Sequence, residues 1–161
     1  MCLPTRRWNM QSILSKTYSA LLLSLSLVIS AQAEVKLETA TDLQSLGKAN
    51  PSEVIVLLVS QDGCAFCVTV KEDFLKPLLQ TADAPPIQVL DLSNPTPVIN
   101  FDGSTGSAEQ VAKSLGGRFT PTILFVDAKG ETRAKKIVGV NTPEFYGYYI
   151  DEAIKSARNS F

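Results

Sequence analysis

Hydrophobic patterning along the chain alternates between strand-like and helix-like segments. Residues 54–60 (VIVLLVS) form an uninterrupted apolar, β-branched run, which predicts a central strand covered on both faces by helices. Residues 122–126 (TILFV) predict a second buried strand, residues 87–92 (IQVLDL) a third and residues 35–38 a short one. From Cys64 the run CAFCVTVKEDFLKPLLQT repeats apolar residues every four positions, at Phe66, Val70, Phe74 and Leu78, as a helix does. Pro77 should kink or end that helix, because it lacks a backbone donor. A shorter helix is expected over residues 41–49, with Leu43 and Leu46 on one face and Asn50-Pro51 as its stop. Ser107 and Gln110 have capping-box spacing, and Gly116-Gly117 supply the matching C-terminal signal. After the turn Asp127-Ala128-Lys129-Gly130, the alternation over residues 131–138 predicts an antiparallel strand near the sheet edge. Thr142 and Pro143 then open a last helix reaching about Ala157.

The order β-α-β-α-β-α-β-β-α describes an α/β protein, a three-layer sandwich around a mixed central sheet. Residues 93–106, rich in Pro, Asn and Gly, stand out as an extended loop insertion. Within it Asp102-Gly103 marks a turn and suggests a small hairpin.

The first 33 residues read differently. Arg6, Arg7 and Lys16 precede a charge-free stretch with its apolar centre at residues 20–29, followed by Ala31-Gln32-Ala33. These are the three parts of a secretory signal peptide, with cleavage expected between Ala33 and Glu34. The apolar centre is shorter than the roughly 20 residues of a membrane-spanning helix. Cleavage leaves a single domain, residues 34–161, with 12 basic and 16 acidic side chains, a net charge of -4. The export address points to an oxidising compartment, and the bacterial look of the signal to the periplasm.

Charge and composition remove several chemistries. The scattered Lys and Arg form no basic patch, so nucleic-acid binding is not expected. The chain contains no histidine, which excludes Ser-His and Cys-His dyads and histidine-ligated zinc. Zinc on Cys64 and Cys67 would need two further ligands from carboxylates alone, so no metal is expected. No Gly-rich nucleotide turn or flavin site is present, so no cofactor is expected either.

Two of the three cysteines survive export, in Cys64-Ala65-Phe66-Cys67, where the central strand ends and a helix begins. A thiol at a helix N-terminus faces unpaired N–H groups and the positive end of the dipole, which favour its thiolate. One helical turn brings Cys67 to the same side, within disulfide range. Cys64, nearer the exposed tip, can attack a substrate disulfide, and Cys67 can resolve the mixed disulfide. An inert structural bond between the two cysteines is the alternative. Thr120-Pro121, before the strand TILFV, is a second element. On residues alone it is either an ordinary trans proline or a cis loop that leaves a backbone edge for an extended substrate peptide.

From residue 35 to the last helix, the chain resembles the thioredoxin-fold family. The resemblance rests on the strand-turn-CxxC-helix, the segment Arg118-Phe119-Thr120-Pro121-Thr122, Gly139 after the last strand and the terminal helix. It implies a cis Pro121 against the active-site sulfurs, a redox-active Cys64–Cys67 disulfide, and substrate contacts at Thr120, Pro121 and Phe66. Among such proteins the chain is most similar to exported thioredoxin-related reductases, including the kind associated with periplasmic sulfur oxidation. It departs from the family in three ways. Ala65-Phe66 lies between the cysteines, with Gly63 where thioredoxins carry tryptophan. Leu58, six residues before Cys64, occupies the place of a buried carboxylate. Residues 93–106 are longer than the usual connection, which adds surface for a partner.

The dipole favours the Cys64 thiolate, but no histidine adds positive charge, Asp62 opposes ionisation if it points inward, and Lys71 can offset it. A moderately lowered Cys64 pKa, and hence a reductant, is expected. The expected partners are a periplasmic protein disulfide as substrate and a membrane thiol protein as electron donor, with the chain itself a monomer. A non-catalytic thioredoxin-fold peptide-binding or assembly module with a static disulfide is the second function class.

Overall fold

The computed structural model describes residues 35–161; the expected signal peptide and the expected Ala33–Glu34 cleavage junction lie outside the described residues. The elements follow in the order β1 (Glu38–Thr39), α1 (Leu43–Ala49), β2 (Ile55–Ser60), a long helical run, β3 (Ile87–Asp91), β4 (Val98–Ile99), β5 (Thr105–Gly106), α4 (Ala108–Ser114), β6 (Thr122–Val126), β7 (Ile137–Val138) and α5 (Tyr146–Arg158). The long run is α2 (Ala65–Thr69), a π-helical segment (Val70–Leu75) and α3 (Lys76–Leu79). The main sheet has strand order β1-β3-β2-β6-β7, with β1, β3 and β2 parallel and β6 and β7 antiparallel to their neighbours. This is the expected mixed-sheet sandwich.

Every residue of β2 is buried, as its unbroken apolar run requires. Its side chains divide by strand alternation. Ile55, Leu57 and Val59 pack with Leu43 of α1 and Ala108, Val111 and Ala112 of α4. Val56 and Leu58 pack on the opposite face with Val70, Leu75 and, from α5, Tyr146, Ile150 and Ile154. Each fully buried Leu, Ile or Val contributes about 1.5–3 kcal/mol relative to exposure. The strand that ends at the cysteines is thereby fixed from both sides.

Residues 93–106 contain the expected hairpin: β4 and β5 pair antiparallel, and Gly103 at the turn has φ +83°. Val98 and Phe101 are buried with the α1/α4 face, and Ile99 N–H donates to Thr41 O at 2.9 Å. The insertion is therefore docked on the domain. The capping box at Ser107 and Gln110 forms as its spacing implies.

Five expectations are corrected in whole or in part. The first strand is Glu38–Thr39 rather than residues 35–38, because its register pairs those two residues with Gln88 and Val89. Helix α1 begins at Leu43, since the Asp42 carboxylate accepts from Ser45 N–H at 2.8 Å and its Oγ at 2.7 Å, making Asp42 the cap. Of the two outcomes expected at Pro77, a kink or an end, the helix does not end there and runs to Leu79. The preceding turn is widened to π geometry, with Lys76 N–H donating to Lys71 O, and so absorbs the missing donor. Residues 131–138 are not one strand: pairing is limited to a bridge at Thr132 and to β7. Asp127 draws this segment into a knot, accepting from Lys129 N–H at 2.8 Å, Glu131 N–H at 2.9 Å and Arg133 Nε at 3.0 Å. Near the end of the chain, Thr142 precedes a 3₁₀ turn (Pro143–Phe145) without a side-chain cap, and α5 starts only at Tyr146. No helix among the described residues is long and apolar enough to cross a membrane.

Candidate active site

Strand β2 delivers the chain to a three-residue reversal, Gln61-Asp62-Gly63, in which Gly63 takes φ +71°. A side chain at that φ would be strained, which accounts for a glycine before Cys64. Asp62 N–H donates to Ser93 Oγ at 2.9 Å, tying the reversal to the segment after β3. Cys64 is the N-cap of α2: its backbone is extended, its carbonyl accepts from Cys67 N–H at 3.0 Å, and its Sγ accepts from the same N–H at 3.1 Å. The sulfur lies where the helix presents unpaired donors, as expected.

Cys64 and Cys67 are joined as a disulfide with their Cα atoms 5.2 Å apart. The two sulfurs are unequally accessible. Cys64 is partly exposed, whereas Cys67 is only 1% exposed. An incoming disulfide can therefore reach Cys64 and not Cys67.

The Thr120–Pro121 peptide bond is cis. The antiparallel register Val59↔Thr122 sets Pro121 opposite Ser60, at the end of the sheet from which the CxxC turn departs. Pro121 is buried, Thr120 partly exposed, and Pro121 O accepts from Gly139 N–H at 2.9 Å. Three segments meet here, and each exposes an apolar side chain: Phe66 between the cysteines (59%), Phe119 before the proline (68%) and Val138 before Gly139 (38%). A polar cavity of about 590 Å³ adjoins the reversal, with Asp62, Glu109, Lys113 and Arg118 on its walls.

Leu58 is fully buried and in register with Val89, so the place of the family's carboxylate is apolar. Asp62 is exposed, Lys71 is partly exposed, and among the described residues neither takes part in an ion pair. The Asp62 carboxylate is thus open to solvent. Among the described residues, no three Cys, Asp or Glu side chains gather as a metal site.

Two residues of this region were not singled out by sequence reasoning. Phe119 was visible as an aromatic just before Thr120-Pro121, but nothing in the pattern distinguished an exposed ring there from a buried one. Ser60 is completely buried at the end of β2, although a serine before Gln-Asp-Gly reads as the start of a turn.

No curated protein sequence matches the chain. Solved thioredoxins do match in fold. Thioredoxin f from spinach chloroplast is 19% identical, with 78% of this chain and 99% of that one covered and a TM-score of 0.50. The Fasciola hepatica thioredoxin is 16% identical, covering 74% and 97%, with a TM-score of 0.53. A Schistosoma mansoni thioredoxin is 21% identical, covering 75% and 94%, with a TM-score of 0.51. The family model described as a thioredoxin-like domain matches residues 40–154, a span that includes both cysteines, Pro121 and most of α5. By that match the chain belongs to the thioredoxin-like domain family, and its Cys64–Cys67 pair makes it a thiol-disulfide oxidoreductase of that family.

Proposed function

We propose that this protein is an exported oxidoreductase that reduces disulfides of partner proteins in the periplasm and is recharged by a membrane thiol protein. The observation that carries the reading is the asymmetry of the pair, an accessible Cys64 at a helix N-terminus bonded to a buried Cys67. In the dithiol form the Cys64 thiolate attacks a substrate disulfide, and one substrate sulfur leaves as a thiolate. Cys67 then attacks Cys64 Sγ, re-forming the internal bond and releasing the second substrate sulfur. Two electrons pass to the substrate, and two must return from a donor.

Phe66, Thr120 and Pro121 would hold the substrate. An extended peptide laid along the backbone before Pro121 would pair with it, while Phe66 and Phe119 offer apolar contact to side chains flanking the disulfide. The electropositive stretch and small-residue junction before Glu34 support export.

The test has two parts. With dithiothreitol as reductant, the protein should accelerate reduction of a model protein disulfide such as insulin; no acceleration would leave the static-disulfide module as the better reading. When the full chain is expressed in a bacterium, it should be recovered from the periplasm beginning at Glu34. Recovery of uncleaved chain from the cytoplasm would overturn the export.

A further inference from the structure

Asp62, Glu109, Lys113 and Arg118 line one polar cavity of about 590 Å³ beside the CxxC reversal, and among the described residues none of them takes part in an ion pair. Glu109 and Lys113 stand four residues apart on α4, the spacing and order at which such side chains ordinarily pair, as Glu72 and Lys76 do at 2.7 Å. Here they do not close on each other, and both charges line the cavity. Hydrogen bonds to the backbone hold its walls. Asp62 N–H donates to Ser93 Oγ at 2.9 Å, Ser93 N–H to the Asp91 carboxylate at 3.0 Å and Gly117 N–H to Ala112 O at 2.7 Å. The place of the cavity relative to the reactive sulfur follows from the chain. Asp62 is two residues from Cys64, and Arg118 two residues from Thr120, so the Cα atoms of each pair lie within about 7 Å.

A ligand for this cavity has to bring both signs of charge. The free end of an amino acid does so on a single carbon, with an ammonium for Asp62 and Glu109 and a carboxylate for Lys113 and Arg118. A segment from the interior of a protein chain has no such end, and the volume suits a molecule of a few residues. We propose, on the turnover of the cysteine pair described above, that the cavity binds the amino-acid end of a small peptide disulfide while the peptide's sulfur meets Cys64. This gives the protein a second substrate class besides protein disulfides. Two residues of chain reach about 7 Å, which is the step from Cys64 to Asp62. The Cys64 thiolate attacks one sulfur of the peptide disulfide, the peptide S–S bond breaks, and the leaving thiolate takes a proton from solvent. The Cys67 thiol gives its proton to solvent and attacks Cys64 Sγ, and the second peptide thiolate leaves and is protonated in turn. Two electrons pass to the peptide, and the thiol donor of the cycle restores them.

The probes are glutathione disulfide, which carries free amino-acid ends, and bis(2-hydroxyethyl) disulfide, which carries no charge. The full chain is reduced with dithiothreitol, freed of it, mixed with either disulfide and quenched with acid. The thiols remaining at Cys64 and Cys67 are then counted by alkylation and mass spectrometry. The double variant Glu109→Gln, Lys113→Gln keeps the net charge, so long-range steering is preserved and only the cavity changes. Its rate constant with glutathione disulfide should fall roughly tenfold, as for the loss of charge-assisted contacts, while its rate constant with the uncharged disulfide should match the wild type's. No loss with glutathione disulfide, or an equal loss with the uncharged one, would overturn the assignment. An equal loss with insulin would do so too, by giving the cavity to charged side chains of protein substrates. Failure of the functional reading looks different, as a wild-type protein that does not accelerate insulin reduction at all.

Discussion

Reducing the Cys64–Cys67 bond should lower the stability of the fold, by an amount that reports the direction in which the protein drives electrons. The bond closes a loop of sequence separation 3. For so short a loop the chain-entropy model gives about 2 kcal/mol of stabilisation at 25 °C. The dithiol form recovers part of this, because the Cys64 sulfur at the helix N-terminus and the Cys67 N–H aimed at it favour a thiolate by about 1 kcal/mol. No histidine is present to add more. The disulfide form should therefore remain the more stable by about 1 kcal/mol, which for a domain of this size corresponds to a melting temperature higher by about 4 °C. Matched thermal or urea melts of the oxidised and dithiothreitol-reduced protein measure the difference. A reduced form more stable than the oxidised one would refute the reasoning, because a dithiol preferred by the fold belongs to an oxidant.

Other outcomes follow from the same structure. Burial alone would raise the Asp127 pKa, but the Arg133 guanidinium and the N–H groups of Glu131 and Lys129 outweigh it and hold the carboxyl below its ordinary value. Asp127→Asn should cost about 2 kcal/mol in urea melts at pH 7. Because the folded-state pKa is the lower one, the wild type's advantage should be complete above about pH 4 and vanish as pH falls through the folded value; an advantage independent of pH would contradict this. Burial pushes the Tyr146 hydroxyl up to about 12, and its oxygen has no partner among the described residues. Tyr146→Phe should thus leave stability unchanged or raise it by up to about 1 kcal/mol, and a loss beyond that would reveal a hidden partner. Phe119→Ala should lower kcat/KM for a protein disulfide by roughly tenfold, as for a buried contact of about 1.4 kcal/mol, while leaving the redox equilibrium with glutathione unchanged. A shift in that equilibrium would place Phe119 in the redox chemistry and not in substrate contact.

The parts of the fold that could be read in advance are those where one physical preference dominates. VIVLLVS and TILFV can only be strands with both faces covered, and the Ser107–Gln110 box and Gly116 bound a helix by local hydrogen bonding. The CxxC turn was equally legible, because a strand, a glycine and a helical repeat meet at Cys64. The failures occurred where a tertiary contact outweighed a local signal. The alternation over residues 131–138 suits a strand, yet Asp127 and Arg133 bind each other and interrupt the pairing. Pro77 is a helix breaker, but packing of Val70 and Leu75 against β2 keeps the helix going by widening one turn. The burial of Ser60 and the exposure of Phe119 depend on which layer covers each one, and no one-dimensional pattern records that.

The division of labour between the two cysteines is the central claim, and one measurement tests it most directly. Cys64→Ser and Cys67→Ser proteins, each incubated with a disulfide-containing protein substrate, are quenched with acid and mapped by mass spectrometry for the covalent adduct. With Cys67→Ser, a mixed disulfide on Cys64 should accumulate, while Cys64→Ser should trap little, since its remaining sulfur is 1% exposed. An adduct that forms on Cys67 in Cys64→Ser, with none on Cys64 in the other variant, would contradict the account.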